Sequence, residues 1–273
     1  MARVLEVSRS GYYKWRNRSP SKREIYNNKL KLEIKKIYAN SYGIYGSPKI
    51  TDELNNMGYS CSRPRVARLM REMGLRSRIT KKYKNTTNSK HDKPVAPNIL
   101  GRDFQVEGPN QVYVSDITYI PLNSSFFYLT VVMDLFNREP IGWSISNNLK
   151  TNCTIIPSFK MALINRKPQD SAIFHSDRGI QYASEEFYSE LTRYDFKQSM
   201  SRKGDCWDNA VMESFFKSLK MEWLYHENYR NKRELMRCVF YYLEVFYPRK
   251  RIHESLDYQT PEQYLQNYYK KNL

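Results

Sequence analysis

Three carboxylates lie at positions where an acidic side chain is energetically unfavourable unless it has a chemical role. Asp116 lies inside an apolar run, Asp177 ends a second, shorter apolar run, and Glu213 lies in a segment with helical spacing. Carboxylates from separate elements repel one another unless a cation lies among them. Such oxygen ligands select Mg²⁺ or Mn²⁺ over zinc. The sequence therefore predicts a two-metal site of the kind that supports in-line phosphoryl transfer.

The surroundings of Asp116 predict a central strand. Apolar side chains alternate onto both faces of Val112–Ile120, so neither face of this strand is expected to meet solvent. An unpaired carboxylate there would cost several kcal/mol, roughly. A bound divalent cation would remove that cost, and an ion pair or a capping role is the alternative.

Asp177 follows a predicted strand, Ala172–Ser176, and precedes a loop that contains Gly179. Mixed α/β folds place functional side chains at such strand ends. A serine-type triad in His175-Ser176-Asp177 is excluded, because alternation puts the serine on the opposite side of the strand from the other two residues.

Glu213 belongs to a predicted helix that begins near Trp207, and 35 residues separate it from Asp177. Offsets of four and seven put Asn209, Glu213 and Lys220 on one stripe, so Lys220 is placed to touch whatever Glu213 touches. Taken alone, Glu213 and Lys217 could be an ordinary surface pair. A separate, apolar stripe is predicted to pack inward: Met212, Phe215, Leu219 and Trp223.

Other candidate ligands have simpler explanations. Asp134 closes a predicted strand, where capping of a turn is expected. His253 could be a fourth metal ligand, but a structural role that holds the C-terminal segment is favoured. The cysteines are widely scattered and include no C-x-x-C pair, so neither a zinc site nor a disulfide framework is expected. These cysteines are Cys61, Cys153, Cys206 and Cys238.

The positive charge is concentrated in the first part of the chain. Residues 1–107 carry 24 Lys and Arg against 9 Asp and Glu, whereas the remaining residues carry 21 against 19. This asymmetry indicates a polyanion-binding region joined to a domain with a different task. No apolar run is long enough for a signal peptide or a membrane span, so we expect a cytoplasmic protein without a membrane partner.

The basic part contains a predicted helix-turn-helix. Ser47-Pro48 starts one short helix that Gly58 ends, and Ser62 starts a second that ends at Gly74. Three arginines are predicted to point outward from the second helix and to contact DNA phosphates, with a merely solvated helix face as the alternative. They are Arg65, Arg68 and Arg71.

These elements predict an α/β catalytic core of the ribonuclease H type, with a mixed sheet and flanking helices, preceded by a small all-α domain. Three strands in a meander are followed by alternating helix and strand. The meander strands are Val112–Ile120, Phe126–Asp134 and Ile141–Ser146. The predicted regions are a basic helical lead-in (1–40), the helix-turn-helix (41–76), a basic linker (77–104) and the core with a helical tail (105–273).

Three motifs carry a family resemblance: Tyr-x-x-Asp-Ile-Thr-Tyr (113–119), His-Ser-Asp-x-Gly-x-Gln-Tyr (175–182) and Asp-Asn-Ala-x-x-Glu-Ser-Phe-Phe-x-x-Leu-Lys-x-Glu (208–222). They resemble the integrase-like core of transposases from the two-reading-frame family of bacterial insertion sequences, an acidic-triad superfamily. Residues 42–75 resemble the helix-turn-helix that precedes this core. Arg251-x-His253-x-x-Leu256 and Thr260-Pro261 resemble the C-terminal signature of the family, although Tyr247-Pro248 replaces the usual Tyr-Asn.

The resemblance implies a magnesium-dependent enzyme that nicks DNA at terminal inverted repeats and transfers a 3′-end to target DNA. It implies Asp116, Asp177 and Glu213 as metal ligands and Lys220 as a DNA contact, and Asn209 on the same stripe is assigned to DNA as well. The abrupt start fits a second-frame product, which would act as a homo-oligomer on DNA, with the first-frame product or as a frameshift fusion. The alternatives are a DNA-binding regulator, an inactive relic of a transposase, or a stand-alone nuclease.

Overall fold

The computed structural model describes residues 8–78, 95–123, 125–203 and 205–272, apart from the side chain of Cys206. The chain forms two compact units, Met1–Arg78 and Ile79–Leu273. Most of the predicted linker, residues 79–94, lies outside the described residues, and the exact region boundaries remain predictions. None of the helices in the described ranges is long and apolar enough to cross a membrane.

The first unit consists of helices: α1 (Arg9–Arg16), α2 (Lys22–Asn40), α3 (Ser47–Asn56) and α4 (Arg63–Glu72). Ser21 caps α2 by accepting a hydrogen bond from the Glu24 amide. Gly58 ends α3 at a φ of 86°, a conformation that favours glycine, so the predicted helix-turn-helix is confirmed. Helix α2 packs against α3 and α4, and the three helices share an apolar core. That core includes Leu30, Ile34, Ile50, Leu54, Val66 and Leu69.

The second unit contains a five-stranded sheet. Its strands are β1 (Val112–Leu122), β2 (Ser125–Asp134), β3 (Glu139–Ser146), β4 (Ile173–Ser176) and β5 (Lys197–Met200), and its helices before the last strand are α5 (Ile155–Asn165) and α6 (Glu185–Arg193). The order is β3-β2-β1-β4-β5, with antiparallel pairing from β1 to β3 and parallel pairing of β1 with β4 and of β4 with β5. The predicted mixed sheet is confirmed, and β1 is its central strand.

One face of the sheet packs against α5 and α6 through an aromatic core. Phe159 of α5 and Phe174 of β4 meet edge to face, with ring centroids 5.6 Å apart. Helix α5 approaches β3 so closely at Gly142 that a Cβ there would overlap the Ser158 carbonyl oxygen. These contacts fix α5 on one face of the sheet and leave the opposite face for the helices that follow β5.

The chain after β5 is helical. A 3₁₀ turn at Cys206–Asn209 leads into α7 (Ala210–Ser218), which widens into a π-helical turn at Leu219–Trp223. Helices α8 (Lys232–Phe240), α9 (Tyr247–Arg249) and α10 (Pro261–Lys271) follow. Thr260 caps α10 in a reciprocal capping box with Gln263. The apolar stripe predicted for the α7 region is confirmed, because all four of its side chains are buried.

Asp134 caps the turn after β2, as predicted. Its carboxylate accepts hydrogen bonds from the backbone amides of Asn110 (2.9 Å) and Phe136 (3.1 Å), and the residue is 1% exposed. Burial outweighs these hydrogen bonds and raises the pKa of Asp134 from 3.8 to about 6. The folded protein therefore holds this proton more tightly than the unfolded chain does.

Replacing Asp134 should change how stability depends on pH. The contribution of Asp134 is largest below pH 4 and is lost as the pH rises through about 6, a difference of about 3 kcal/mol. Asp134→Asn has no carboxyl group at this position, so this pH-dependent contribution to stability is absent. Urea unfolding followed by tryptophan fluorescence should show that the stability advantage of the wild type over the variant shrinks as the pH rises. The exposed Asp170→Asn is the control, and a pH-independent difference for Asp134→Asn would contradict the prediction.

Candidate active site

The sheet register places Asp116 and Asp177 side by side. Strands β1 and β4 are parallel, and Ser115 pairs with Ser176. The next residue on each strand is the aspartate, so the two carboxylates leave neighbouring positions on strands that are about 4.8 Å apart. Asp177 also accepts a hydrogen bond from the Gly179 amide at 2.8 Å, which holds the start of the loop after β4.

Glu213 reaches the same place from helix α7, which packs on β1. Burial raises the pKa of Asp116 well above its usual range, and the charges of Asp177 and Glu213 raise it further. The Ile117 amide, which donates to the Asp116 carboxylate at 2.7 Å, acts in the opposite direction. The charges of the three predicted acids therefore act on one another, which neither their sequence positions nor their secondary structures could establish.

Lys220 lies beside this acidic cluster. Its residue is 6% exposed, and burial lowers its pKa to about 8 against the opposing effect of the Asp116 carboxylate. The lysine stands in the π-helical turn, a feature often found at functional sites. Its ammonium in turn lowers the pKa of Asp116, so it offsets part of the negative charge of the cluster.

Asn209 is also buried, at the junction of the 3₁₀ turn with α7. Its side-chain oxygen has no hydrogen-bond partner among the residues that the structure describes. A buried amide oxygen normally accepts a hydrogen bond or binds a cation. Neither Asn209 nor Lys220 lies on the surface, and the contact of each with DNA remains a prediction.

The donor set fits a hard divalent cation. Carboxylate oxygens are the ligands that Mg²⁺ and Mn²⁺ prefer, and here they come from the middle of β1, from the residue after β4 and from α7. A cation would relieve the electrostatic strain on Asp116. Across the described parts of the chain, however, no three His, Cys, Asp or Glu side chains are already as close as metal ligands.

A buried histidine ties the two motifs of the site together. His175 Nδ1 lies 2.9 Å from Ser199 Oγ on β5, and its Nε2 lies 3.0 Å from the Asp208 carbonyl oxygen. Burial lowers the pKa of His175 to about 4, so the ring is neutral at physiological pH. The His175 ring therefore connects β4, which precedes Asp177, with the 3₁₀ turn that precedes α7, the helix of Glu213.

Asp208 is the centre of a polar cluster that the sequence motifs did not reveal. Its buried carboxylate accepts hydrogen bonds from the side chains of Arg102 (2.7 Å), Arg202 (2.9 and 3.0 Å) and Asn98 (2.9 Å). The hydrogen bonds from Arg202 are the main reason why the pKa of Asp208 lies far below its usual range. The cluster fixes the 3₁₀ turn, and only its position ahead of a helix could have indicated a capping role.

A buried ion pair anchors the π-helical turn on its other side. The Arg251 guanidinium donates to both oxygens of Glu222, at 2.6 and 2.7 Å, and also to Ser218 Oγ at 3.3 Å. Tyr242 donates to the same carboxylate at 3.3 Å. The motif that ends at Glu222 and the C-terminal signature that starts at Arg251 are therefore parts of one contact.

His253 belongs to this contact rather than to the acidic cluster. Its Nδ1 lies 3.0 Å from the Arg251 guanidinium, and its ring packs against Tyr247 with centroids 4.7 Å apart. The His253 amide donates to the Gln259 carbonyl oxygen at 3.0 Å. This arrangement agrees with the structural role that the sequence favoured.

The three arginines predicted to point outward from α4 do not share one environment. Arg68 and Arg71 are exposed. The prediction is wrong for Arg65, which turns toward α2: its guanidinium donates twice to Asn27 Oδ1, at 3.0 and 2.8 Å, and lies over the Tyr26 ring. Arg65 lies on the side of α4 that packs against α2, so its side chain meets a neighbouring helix instead of solvent.

The chain resembles known proteins along nearly its whole length. Residues 106–206 and 194–261 match models of the integrase core domain, and residues 26–83 match an HTH-like domain. The chain is 39% identical to the transposase InsF for insertion sequence IS3A of Escherichia coli, covering 97% of this chain and 92% of that protein. It is 38% identical to the insertion element IS600 uncharacterized 31 kDa protein of Shigella sonnei, covering 98% of each.

The fold also resembles a solved viral assembly. The intasome of simian T-cell lymphotropic virus, in complex with the PP2A regulatory subunit B56 gamma, contains a chain that matches with a TM-score of 0.51 and 15% identity. The match covers 85% of this chain and 74% of that one. It supports the integrase-like fold and nothing beyond the fold.

Breaking the buried ion pair should be costly. Arg251→Met leaves Glu222 buried without its partner, which should lower the free energy of unfolding by about 3–5 kcal/mol. The double variant Glu222→Met/Arg251→Met should lose less than the two single variants together, because it leaves no unpaired charge. Urea unfolding of the four proteins measures this coupling.

Arg249→Met is the matched control for this prediction. Arg249 is exposed and its nitrogen lies 3.9 Å from Glu262, so its loss should change stability by less than about 1 kcal/mol. An Arg251→Met variant no less stable than Arg249→Met would show that the buried pair contributes nothing to the anchoring of the π-helical turn.

Proposed function

The chain belongs to the IS3-type insertion-sequence transposases, and we propose that Asp116, Asp177 and Glu213 are the catalytic carboxylates of its DNA cleavage and strand-transfer reactions. It is accordingly a polynucleotidyl transferase with an integrase-type core. The observation that supports the residue assignment is the register of β1 with β4, which sets Asp116 beside Asp177, together with the packing of the helix of Glu213 on β1. Burial and both neighbouring carboxylates raise the pKa of Asp116.

The three carboxylates would hold Mg²⁺ or Mn²⁺ in a two-metal site. Cations bound there activate the attacking hydroxyl and stabilise the leaving oxygen of an in-line displacement. The protein itself supplies the geometry: β1 and β4 hold two acids on a rigid sheet, while α7 brings the third acid from above the same strands. The attacking group is water for cleavage and a DNA 3′-hydroxyl for strand transfer.

We assign Lys220 and Asn209 to the substrate side of this site. Lys220 is buried, and its lowered pKa of about 8 leaves it mostly charged at neutral pH. Its ammonium would contact a DNA phosphate at this site. The unpaired oxygen of Asn209 is available to a base, a water molecule or a cation in the assembled complex.

The reaction joins two element ends to one target, so we propose that the chain works as a homo-oligomer on terminal inverted repeats and target DNA. The helix-turn-helix holds the DNA through Arg65, Arg68 and Arg71. The first-frame product, alone or as a frameshift fusion, is the proposed protein partner. A cytoplasmic location follows from this role and remains a prediction.

Neutral substitutions at the three acids should abolish chemistry and spare DNA binding. Asp116→Asn, Asp177→Asn and Glu213→Gln should each reduce Mg²⁺-dependent nicking and joining of labelled element-end DNA by about 1000-fold or more. Gel assays measure the products, with and without an upstream-frame fusion, and fluorescence anisotropy measures binding. Exposed Asp170→Asn is the matched control and should retain full activity.

The outcomes separate the three functions that the sequence left open. Binding without nicking or joining by the wild type, with or without the fusion, would support a regulator or an inactive relic. Equal cleavage of unrelated DNA would support a nuclease. Wild-type activity in Glu213→Gln would remove this residue from the site.

Cation binding should be visible without catalysis. Mg²⁺ or Mn²⁺ that binds the folded protein alone raises its melting temperature by mass action. This increase should be present in the wild type and in Asp170→Asn, and it should be lost in the double variant Asp116→Asn/Asp177→Asn. An equal increase in that double variant would place the cation elsewhere.

A further inference from the structure

A basic cleft lies between α2 and α4 in the first unit. Its volume is about 800 Å³, and four of its lining side chains are positively charged. Lys22 and Arg23 come from the first turn of α2, while Arg65 and Arg68 come from α4. None of the described residues that line it is acidic.

The cleft is partly preorganised by the contacts of Arg65. Two nitrogens of its guanidinium are used by Asn27, and the Tyr26 ring supports its plane at 4.9 Å. The Tyr26 hydroxyl in turn donates to the Ser60 carbonyl oxygen at 3.2 Å, in the loop before α4. These contacts tie α2 to α4 and hold one cation at the wall of the cleft.

The chemistry of the cleft favours phosphate over base edges. Asparagine and glutamine are the side chains that read adenine, and the asparagine beside this cleft, Asn27, already accepts both hydrogen bonds from Arg65. Lys22 and Arg23 are exposed cations that can follow a charged backbone, and Arg68 is exposed with its Nε 3.7 Å from the Glu72 carboxylate. The nearest carboxylate on α4, Glu72, is held at the far end of the helix by Lys31 at 2.8 Å.

We propose that α2 and α4 together clamp the phosphodiester backbone of DNA, with Lys22 and Arg23 as phosphate contacts outside the helix-turn-helix motif. This inference rests on the proposed function only in taking DNA as the ligand. Arg65 and Arg68 complete the clamp from α4, whereas Arg71 lies outside its lining. The clamp gives affinity and register, and it carries no sequence information.

The salt dependence of binding tests the clamp directly. Each phosphate contact releases counterions, so Lys22→Ala/Arg23→Ala should reduce the slope of log affinity against log salt by about 2. At 0.15 M salt this corresponds to an affinity loss of about 30-fold. The loss should be the same on element-end DNA and on an unrelated duplex of equal length. Fluorescence anisotropy of the full chain across a salt series measures both quantities.

Lys29→Ala/Lys35→Ala is the matched control. Both lysines are exposed on the same helix and lie outside the cleft, and the change in net charge is identical. The control should keep the wild-type slope. An equal loss in cleft and control variants would show a general charge effect and overturn the clamp. A loss confined to element-end DNA would show base reading and overturn it as well.

The test does not depend on the catalytic assignment. The same pair of variants in an Asp116→Asn background should give the same slopes, since binding needs no chemistry. If Lys22→Ala/Arg23→Ala binds DNA with the wild-type slope, the clamp is refuted and the proposed function stands. If the wild type binds with the expected slope but is inactive, the proposed function is refuted and the clamp stands.

Discussion

The structure depends on how much negative charge can be gathered around Asp116. This carboxylate lies on the central strand, where burial and two neighbouring acids oppose its ionisation. Such a group stays charged only with compensation. Within the protein that compensation comes from the Ile117 amide and from Lys220. In the proposed site a divalent cation would offset the remaining negative charge, so the electrostatic strain and the proposed function have the same origin.

The framework around the site is built to withstand this repulsion. The neutral ring of His175 joins β4 and β5 to the start of α7, and Asp208 is fixed there by two arginines. On the other side, the pair of Glu222 with Arg251 anchors the π-helical turn that carries Lys220. The acids converge because their supporting elements are locked by contacts that do not involve the acids themselves.

The sheet and the acids could be predicted because their evidence is local. Alternation around Asp116 indicated a central strand, and helical spacing separated Glu213 from the apolar stripe that includes Phe215. The pairing of Glu222 with Arg251 spans 29 positions, and that of Arg65 with Asn27 spans 38. No periodicity encodes such long-range contacts. For the same reason the outward orientation predicted for Arg65 was wrong, since it depended on a helix that the motif does not include.

The uneven distribution of charge now has a physical explanation. A core whose site gathers carboxylates repels the phosphates on which it must act, and its own net charge of +2, from 21 basic and 19 acidic residues after position 107, offers little attraction. Attraction must therefore come from the basic first part of the chain, and local neutralisation must come from the cation and Lys220. DNA affinity and chemistry thus belong to different parts of the sequence, because the positive charge that attracts DNA and the carboxylates of the site cannot share one surface.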